Sequence, residues 1–349
     1  MSRVVLTTVG TSLKGNAERA KREPAALLRD DPRAACAEAN VLDRLELIGG
    51  SDCVELFHSE TPDGQKCAEE IAVWLTVRRI KVTLTPIPGL TYQTKDFHRG
   101  LRSLVRLLAQ RIRTTRRQND TPVLNALGGF KSEVAYATLV GALFGIPNVY
   151  IHQGFEELLS VPPLPIGWDV ARIDAFADTL EWLDAEARTE VEARSRLLAL
   201  PDDLRETLTE PGDDGYRYLS PLGEACFEAY KARIEEPTGD PILLSKKAQR
   251  DYEAMEPSVR SAFDSVLRKL SKPEFRHKNS KTLEQSQGDA RVYPQGRRDE
   301  RLFWIEDDEG TVKVLELARH EKGYEELYSK GVRSKNYGGW QPWPSFVGS

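Results

Sequence analysis

Five short, β-branched apolar runs, at residues 3–9, 53–57, 80–86, 123–127 and 148–152, are each separated from the next by a stretch that reads as helix. Strands that alternate with helices cannot be joined as hairpins. The helix must carry the chain back across the sheet, and the runs close into a parallel, Rossmann-like α/β sheet. The helical pattern is firmest at residues 100–113, where Leu101, Leu104, Val105, Leu108 and Ile112 recur every three or four positions and draw one buried stripe. Arg102, Arg106, Arg111 and Arg113 fall off that stripe, and the basic run 111–117 is expected to be a solvated face.

Two of these strands end in glycine. Gly10, Thr11, Ser12 and Leu13 follow the first, and Gly128, Gly129, Phe130 and Lys131 follow the fourth, each opening a helical stretch. At the carboxyl edge of a parallel sheet such junctions present backbone N–H groups at helix N-termini, where anions bind. The hydroxyls of Thr11 and Ser12 and the cation of Lys131 suit a phosphate-bearing ligand. A tight turn needing positive φ would demand the same glycines with no ligand, so the two loops together carry the reading rather than either alone.

A chain of 349 residues with 40% hydrophobic content can bury two cores, which suggests about two or three domains. The net charge of −5 is uneven, because residues 241–335 hold 20 Lys and Arg against 17 Asp and Glu. Cys36, Cys53, Cys67 and Cys226 have neither zinc-ligand spacing nor a CxxC pair, which fits a reducing cytoplasm and argues for no metal. No apolar run approaches the ~20 residues that span a bilayer, so no membrane partner is expected.

Beyond the sheet, the prolines at 162, 163 and 165 break any ladder. Residues 171–235 read as a helical or winged connector with a turn at 211–215, and 235–241 as a linker. Helix in two pieces is expected over 245–270, broken at Pro257, then a polar stretch to 289. Strands follow at 290–293, 301–306 and 312–317, with a hairpin turn at 307–310 and a short helix at 324–328, an α+β domain with an antiparallel sheet. The tail, 336–349, carries Tyr337, Trp340, Trp343 and Phe346, spaced to pin it to its own chain or to anchor a partner.

The segments TTVGTSL (7–13), GGFKSE (128–133) and YIHQGFEELLSVPPLPI (150–166) resemble the CARF domains of CRISPR-associated proteins. The resemblance implies that residues 1–170 form a homodimeric sensor of cyclic oligoadenylate, tetra-adenylate ahead of hexa-adenylate. Gly10, Thr11, Ser12, Leu13, Gly128, Gly129, Phe130 and Lys131 would contact phosphate or ribose, and Gln153 adenine.

The segments RRDER (297–301), LFWIE (302–306) and VKVLELARHEKGYEEL (312–327) resemble RelE-type mRNA interferases. This implies that residues 241–335 form a ribosome-dependent endoribonuclease with no cofactor. In such enzymes the RNA 2′-OH attacks the adjacent phosphate, and clustered cations offset the growing charge. Arg297, Arg298, Arg301, Arg319, His320, Lys322 and Tyr324 are the catalytic candidates. Arg297 and Arg301 would clamp phosphate, His320 or Lys322 exchange a proton, and Tyr324 and Tyr293 stack on bases. The paired lysines that the family carries on the preceding strand are replaced here by Arg291 and Tyr293, which leaves the general base open. So small a positive charge on 241–335 favours an mRNA presented by the ribosome over free RNA. Two other readings stand beside this one. A ligand-controlled DNA-binding regulator is disfavoured by Glu224 and Glu228 on its candidate recognition helix; an enzyme that cleaves the messenger would use Ser12 or Lys131.

Overall fold

The β-branched runs do pair as a parallel sheet. The computed structural model describes residues 2–91, 94–151, 157–161, 169–237, 239–282, 288–295, 298–321 and 323–344, with the side chains of 94–96 excepted. In chain order the first elements are β1 (Arg3–Val9), α1 (Ser12–Ala20), α2 (Pro24–Asp30), α3 (Pro32–Ala35), α4 (Ala37–Arg44), β2 (Cys53–Ser59) and α5 (Pro62–Val77). They continue as β3 (Lys81–Ile87), α6 (Thr94–Arg117), β4 (Thr121–Asn125), α7 (Lys131–Leu143), β5 (Asn148–Tyr150) and β6 (Leu159–Val161). Strand order is β3-β2-β1-β4-β5-β6; β1 to β5 are parallel, and β6 runs antiparallel to β5. Val5, Leu28, Leu56 and Ile71 belong to the buried cluster that holds helices on the sheet. The chain winds outward from β1 through β2 to β3, then returns to the other side of β1 for β4. The carboxyl ends of β1 and β4 therefore flank the topological switch point, the crevice where such sheets bind ligands.

The chain divides into two compact units, residues 1–168 with 186–229, and residues 169–185 with 230–349. The stretch 171–235, anticipated as a connector, is thus shared between them. Residues 169–185 form α8 (Val170–Asp174) and α9 (Ala177–Ala185) of the second unit. The first unit resumes with β7 (Arg188–Thr189), α10 (Glu190–Leu197), α11 (Asp202–Leu208), β8 (Thr209–Pro211) and β9 (Tyr216–Leu219), then enters α12 (Pro221–Glu235). These three strands pair in the order β7-β9-β8 as a small antiparallel sheet, with α10 and α11 between β7 and β8.

The arginines of α6 are largely taken up by partners, although Arg116 and Arg117 at its end are exposed, as expected of that part of the run. Arg102 pairs with Glu210, Arg106 with Glu224 at 2.6 Å, Arg111 with Glu55 at 2.5 Å and Arg113 with Glu228 at 2.6 Å. Arg116 donates to the Phe144 carbonyl at 2.6 Å. Glu224 and Glu228 are buried, so α12 is acidic because it must neutralise α6. Its acidity is a packing matter. Periodicity shows which face is apolar, whereas distant carboxylates decide whether the other face meets solvent.

In the second unit, β10 (Ile242–Leu244) precedes α13 (Lys246–Glu253), α14 (Pro257–Leu270) and α15 (Pro273–Lys278). Then come β11 (Lys281–Thr282), β12 (Arg291–Tyr293), β13 (Glu300–Glu306), β14 (Val312–Arg319), α16 (Tyr324–Lys330) and β15 (Gln341–Pro342). The sheet order is β11-β12-β13-β14-β10-β15. It is not wholly antiparallel, as expected, because β10 lies parallel to β14; a parallel neighbour requires a long crossover, which α13 and α14 begin. The polar stretch after 270 holds α15 and β11, both too short for periodicity to reveal. Glu236 and Asp240, in the expected linker, are tied down: Lys272 Nζ donates to the Glu236 carbonyl at 2.8 Å, and Arg276 pairs with Asp240 at 2.7 Å. The tail is pinned to its own chain. Leu243 and Leu244 pair with Pro342 and Gln341, and Trp343 is fully buried with its Nε1 donating to Asp264 at 3.2 Å.

Candidate functional site

Two regions gather the residues singled out in the sequence, one in each unit. In the first, the glycine loops meet at the switch point: a Cβ on Gly10 would stand 2.6 Å from the Gly129 nitrogen, so no larger residue fits there. Gly129 adopts φ +98°, and a side chain would run into the Glu133 carboxylate. The inner surface of the loops is already satisfied by the protein. Gly10 N donates to Glu38 Oε1 at 2.8 Å and Ser12 Oγ to Glu38 Oε2 at 3.3 Å, while Thr8 Oγ1 donates to the Gly128 carbonyl at 2.8 Å. Glu38, which the sequence reading missed, is 1% exposed. Nothing local marks it, since it comes from a different helix, α4.

The expected ligand contacts therefore separate. Leu13 and Gly128 are buried and the Gly10 N–H is taken by Glu38, so these three shape the loops. Leu13 belongs to the hydrophobic core because the first turn of α1 packs its apolar face on the sheet. Ser12, Gly129, Phe130 and Lys131 are exposed, with Thr11 half-buried beside them. Phe130 rests edge-on against Phe97 of α6, their ring centres 5.3 Å apart. Behind this rim Glu133 accepts the Phe130 N–H at 3.1 Å, and burial pushes its carboxyl up to about 7 despite that hydrogen bond. Gln153 lies outside the described residues.

In the second unit, a cavity of about 380 Å³ is lined by Lys281, Pro294, Gln295, Arg301, His320, Tyr324, Glu325 and Tyr328. Each comes from a strand end or the helix beyond. β13 supplies Arg301, β11 supplies Lys281, and α16 supplies Tyr324 and Tyr328, four apart and so on one face. Gly323, at φ +88°, lets the chain turn sharply between β14 and α16. The turn stacks His320 on Tyr324, with ring centres 5.3 Å apart at 24°. Lys281 Nζ lies 5.3 Å from the Tyr328 ring centre and 5.9 Å from that of Tyr324. The Arg301 guanidinium lies 5.7 Å from the Tyr324 ring centre. Two cations held over aromatic faces beside an imidazole and a carboxylate can bind a phosphodiester, stack a base and move a proton.

Of the seven catalytic candidates, the structure brings Arg301, His320 and Tyr324 together. Arg298 is turned away, with its Nη2 2.9 Å from both carboxylate oxygens of Glu181. Arg319 is held by Asp299, which also accepts the Glu321 N–H at 3.1 Å and, through its carbonyl, the His320 N–H at 2.7 Å. That carboxylate organises the turn, and Arg319 does not line the cavity. Burial works against ionisation of Asp299, but the Glu321 N–H and Arg319 hold its carboxyl below the usual range. Arg297 and Lys322 lie outside the described residues. Tyr293 cannot stack on a base, because it is fully buried and its hydroxyl donates to Asp174. Lys281, Gln295, Glu325 and Tyr328 were missed. Lys281 supplies a lysine where the sequence suggested none, from a two-residue strand that pairs with β12.

Among the described residues, no three His, Cys, Asp or Glu side chains are grouped to hold a metal ion, and no helix is long and apolar enough to cross a membrane. A family model described as CRISPR-associated protein (Cas_APE2256) matches residues 33–164, which supports a CRISPR association. Among solved structures, the crystal structure of protein VC1899 from Vibrio cholerae aligns over 67% of this chain and 67% of its own, at 11% identity and a TM-score of 0.31. So loose a likeness carries no argument.

Proposed function

We propose that this chain is a CRISPR-associated effector that binds cyclic oligoadenylate, tetra-adenylate by preference, at the switch-point loops of a homodimer, and in response cleaves mRNA on the ribosome. The observation that carries the enzymatic half is the convergence of Lys281, Arg301, His320, Tyr324 and Tyr328 in one cavity. Cleavage begins when the RNA 2′-OH attacks the adjacent phosphorus and ends when the 5′-oxygen leaves, yielding a 2′,3′-cyclic phosphate and a 5′-hydroxyl. Lys281 and Arg301 offset the charge that builds on the phosphorane, the term that usually dominates in a partly dehydrated site. His320 and Glu325, which line the same cavity, take the 2′-OH proton and return one to the departing oxygen. Tyr328 holds a base by stacking, while Tyr324, buried and stacked by His320, backs the cavity wall.

The sensing half is supported by the family match over residues 33–164 and by the exposed Ser12, Gly129 and Lys131 at two helix N-termini. A ligand biases activity only through unequal affinity for two states. The test is a purified translation system programmed with a reporter mRNA, with and without cyclic tetra-adenylate. Cleavage is expected only with the messenger, and Arg301→Ala or Lys281→Ala is expected to lower its rate by about 10² or more. An intact reporter in the presence of bound messenger would overturn the reading. Degradation of labelled messenger in the same reaction would assign Ser12 and Lys131 to cleavage as well as binding.

A further inference from the structure

Asp174, at the end of α8, has a carboxylate 3% exposed that nonetheless has four partners. Its Oδ1 accepts the Tyr230 hydroxyl at 2.7 Å and pairs with Lys269 at 3.0 Å. Its Oδ2 accepts Asn279 Nδ2 at 2.8 Å and the Tyr293 hydroxyl at 3.0 Å. Two of these partners adjoin the cavity. Asn279 lies two residues before Lys281, and its carbonyl accepts the Gln295 N–H at 2.8 Å; Tyr293 immediately precedes Pro294 and Gln295. Gln295 Nε2 closes the link by donating to the Ser280 carbonyl at 2.8 Å.

The same segment grips a third strand. Glu181 of α9 binds Arg298, whose own carbonyl accepts a hydrogen bond from Arg301. At its other end Asp169 pairs with Lys278 at 2.6 Å, and the Ala171 carbonyl accepts Asn279 Nδ2 at 2.9 Å. Residues 169–185 thus hold the ends of β11, β12 and β13, the three strands that present Lys281, Gln295 and Arg301. Apolar side chains would fill such a volume at lower desolvation cost, whereas hydrogen bonds to both carboxylate oxygens fix direction as well as distance.

We infer that residues 169–185 are a positioning clasp for the cavity, with Asp174 and Glu181 as positioning residues that set Lys281 and Arg301 against a bound phosphodiester. This rests on the cavity being the ribonuclease site. The segment is also where the chain leaves the first unit, at 168, and rejoins it, at 186, so both of its ends are joined covalently to that unit.

The test uses the full chain with ribosomes, reporter mRNA and cyclic tetra-adenylate, and compares Glu181→Gln and Asp174→Asn with Ile242→Ala on the far side of the sheet. Both clasp variants are expected to lower kcat by about 10- to 100-fold, as small misplacements do, with KM within about twofold. Ile242→Ala, which lowers stability without touching the clasp, is expected to leave kcat unchanged. Hydrogen–deuterium exchange on the unliganded chain supplies a readout independent of cleavage. Amides at 279–281 and at 295 should exchange faster in Asp174→Asn, and those at 299–301 in Glu181→Gln. Exchange that rises as expected in a chain that never cleaves would retain the clasp and discard the ribonuclease reading. Unchanged exchange, or an equal loss of kcat in Ile242→Ala, would overturn the clasp. Should Asp174→Asn fail to fold, Glu181→Gln decides, because its side chain is half-exposed.

Discussion

Glu133 joins backbone to side chain at the rim of the glycine loops, where Gly129 has no Cβ and so leaves room for the carboxylate. With the folded carboxyl at about 7 and its ordinary value at 4.5, the folded protein retains a proton between those two pH values that the unfolded chain has released. Stability therefore falls as pH rises through that window, by about 3 kcal/mol at most for this group. Urea midpoints at pH 5 and pH 8 should show that part of the fall disappearing in Glu133→Gln; an undiminished fall would contradict the assignment. How legible single residues were in the sequence depended on where their partners lie. Arg301, His320 and Tyr324, singled out from the two segments 297–301 and 312–327, do line one cavity. Lys281 and Glu38 could not be read, since their roles depend on strands and helices brought in from elsewhere, and Arg298 was misread because Glu181 is more than a hundred positions away.

Between elements, the contacts of α6 with β8 and α12 replace solvation by charge pairing. Glu228 is 2% exposed and paired with Arg113, so Arg113→Met should leave a buried carboxylate short of a cation and cost about 3–5 kcal/mol. Adding Glu228→Gln should recover much of that loss in urea unfolding. If the double variant is no more stable than the single, the pairing is not what holds the helices. At this scale the sequence was most informative where pattern and length cooperate. All five parallel strands lay within a few residues of their expected positions, and the break at Pro257 falls at the start of α14. The strands β10, β11 and β15 are two or three residues long. Alternation cannot declare itself in so few positions, which is why the parallel pairing of β10 with β14 was not foreseen.

For the molecule as a whole, the last of the three passages between units falls within α12, between Ala229 and Tyr230, and not in the Pro- and Gly-bearing segment that composition suggested. A boundary inside a helix leaves no compositional trace. The last residues were ambiguous for a related reason: aromatic spacing shows that a tail is adhesive without showing to what. Deleting residues 340–349 removes a wholly buried tryptophan, and loss of such a side chain costs about 3–5 kcal/mol; a lower melting temperature with concentration-dependent light scattering is expected. An unaltered, monodisperse melt would show the tail to be dispensable. The scattering is expected because β10 would be left with a row of bare amides and carbonyls, and an uncovered strand recruits other strands. In covering that row, Gln341 and Pro342 serve as a gasket: they keep copies of this protein from sealing to one another along their flanks.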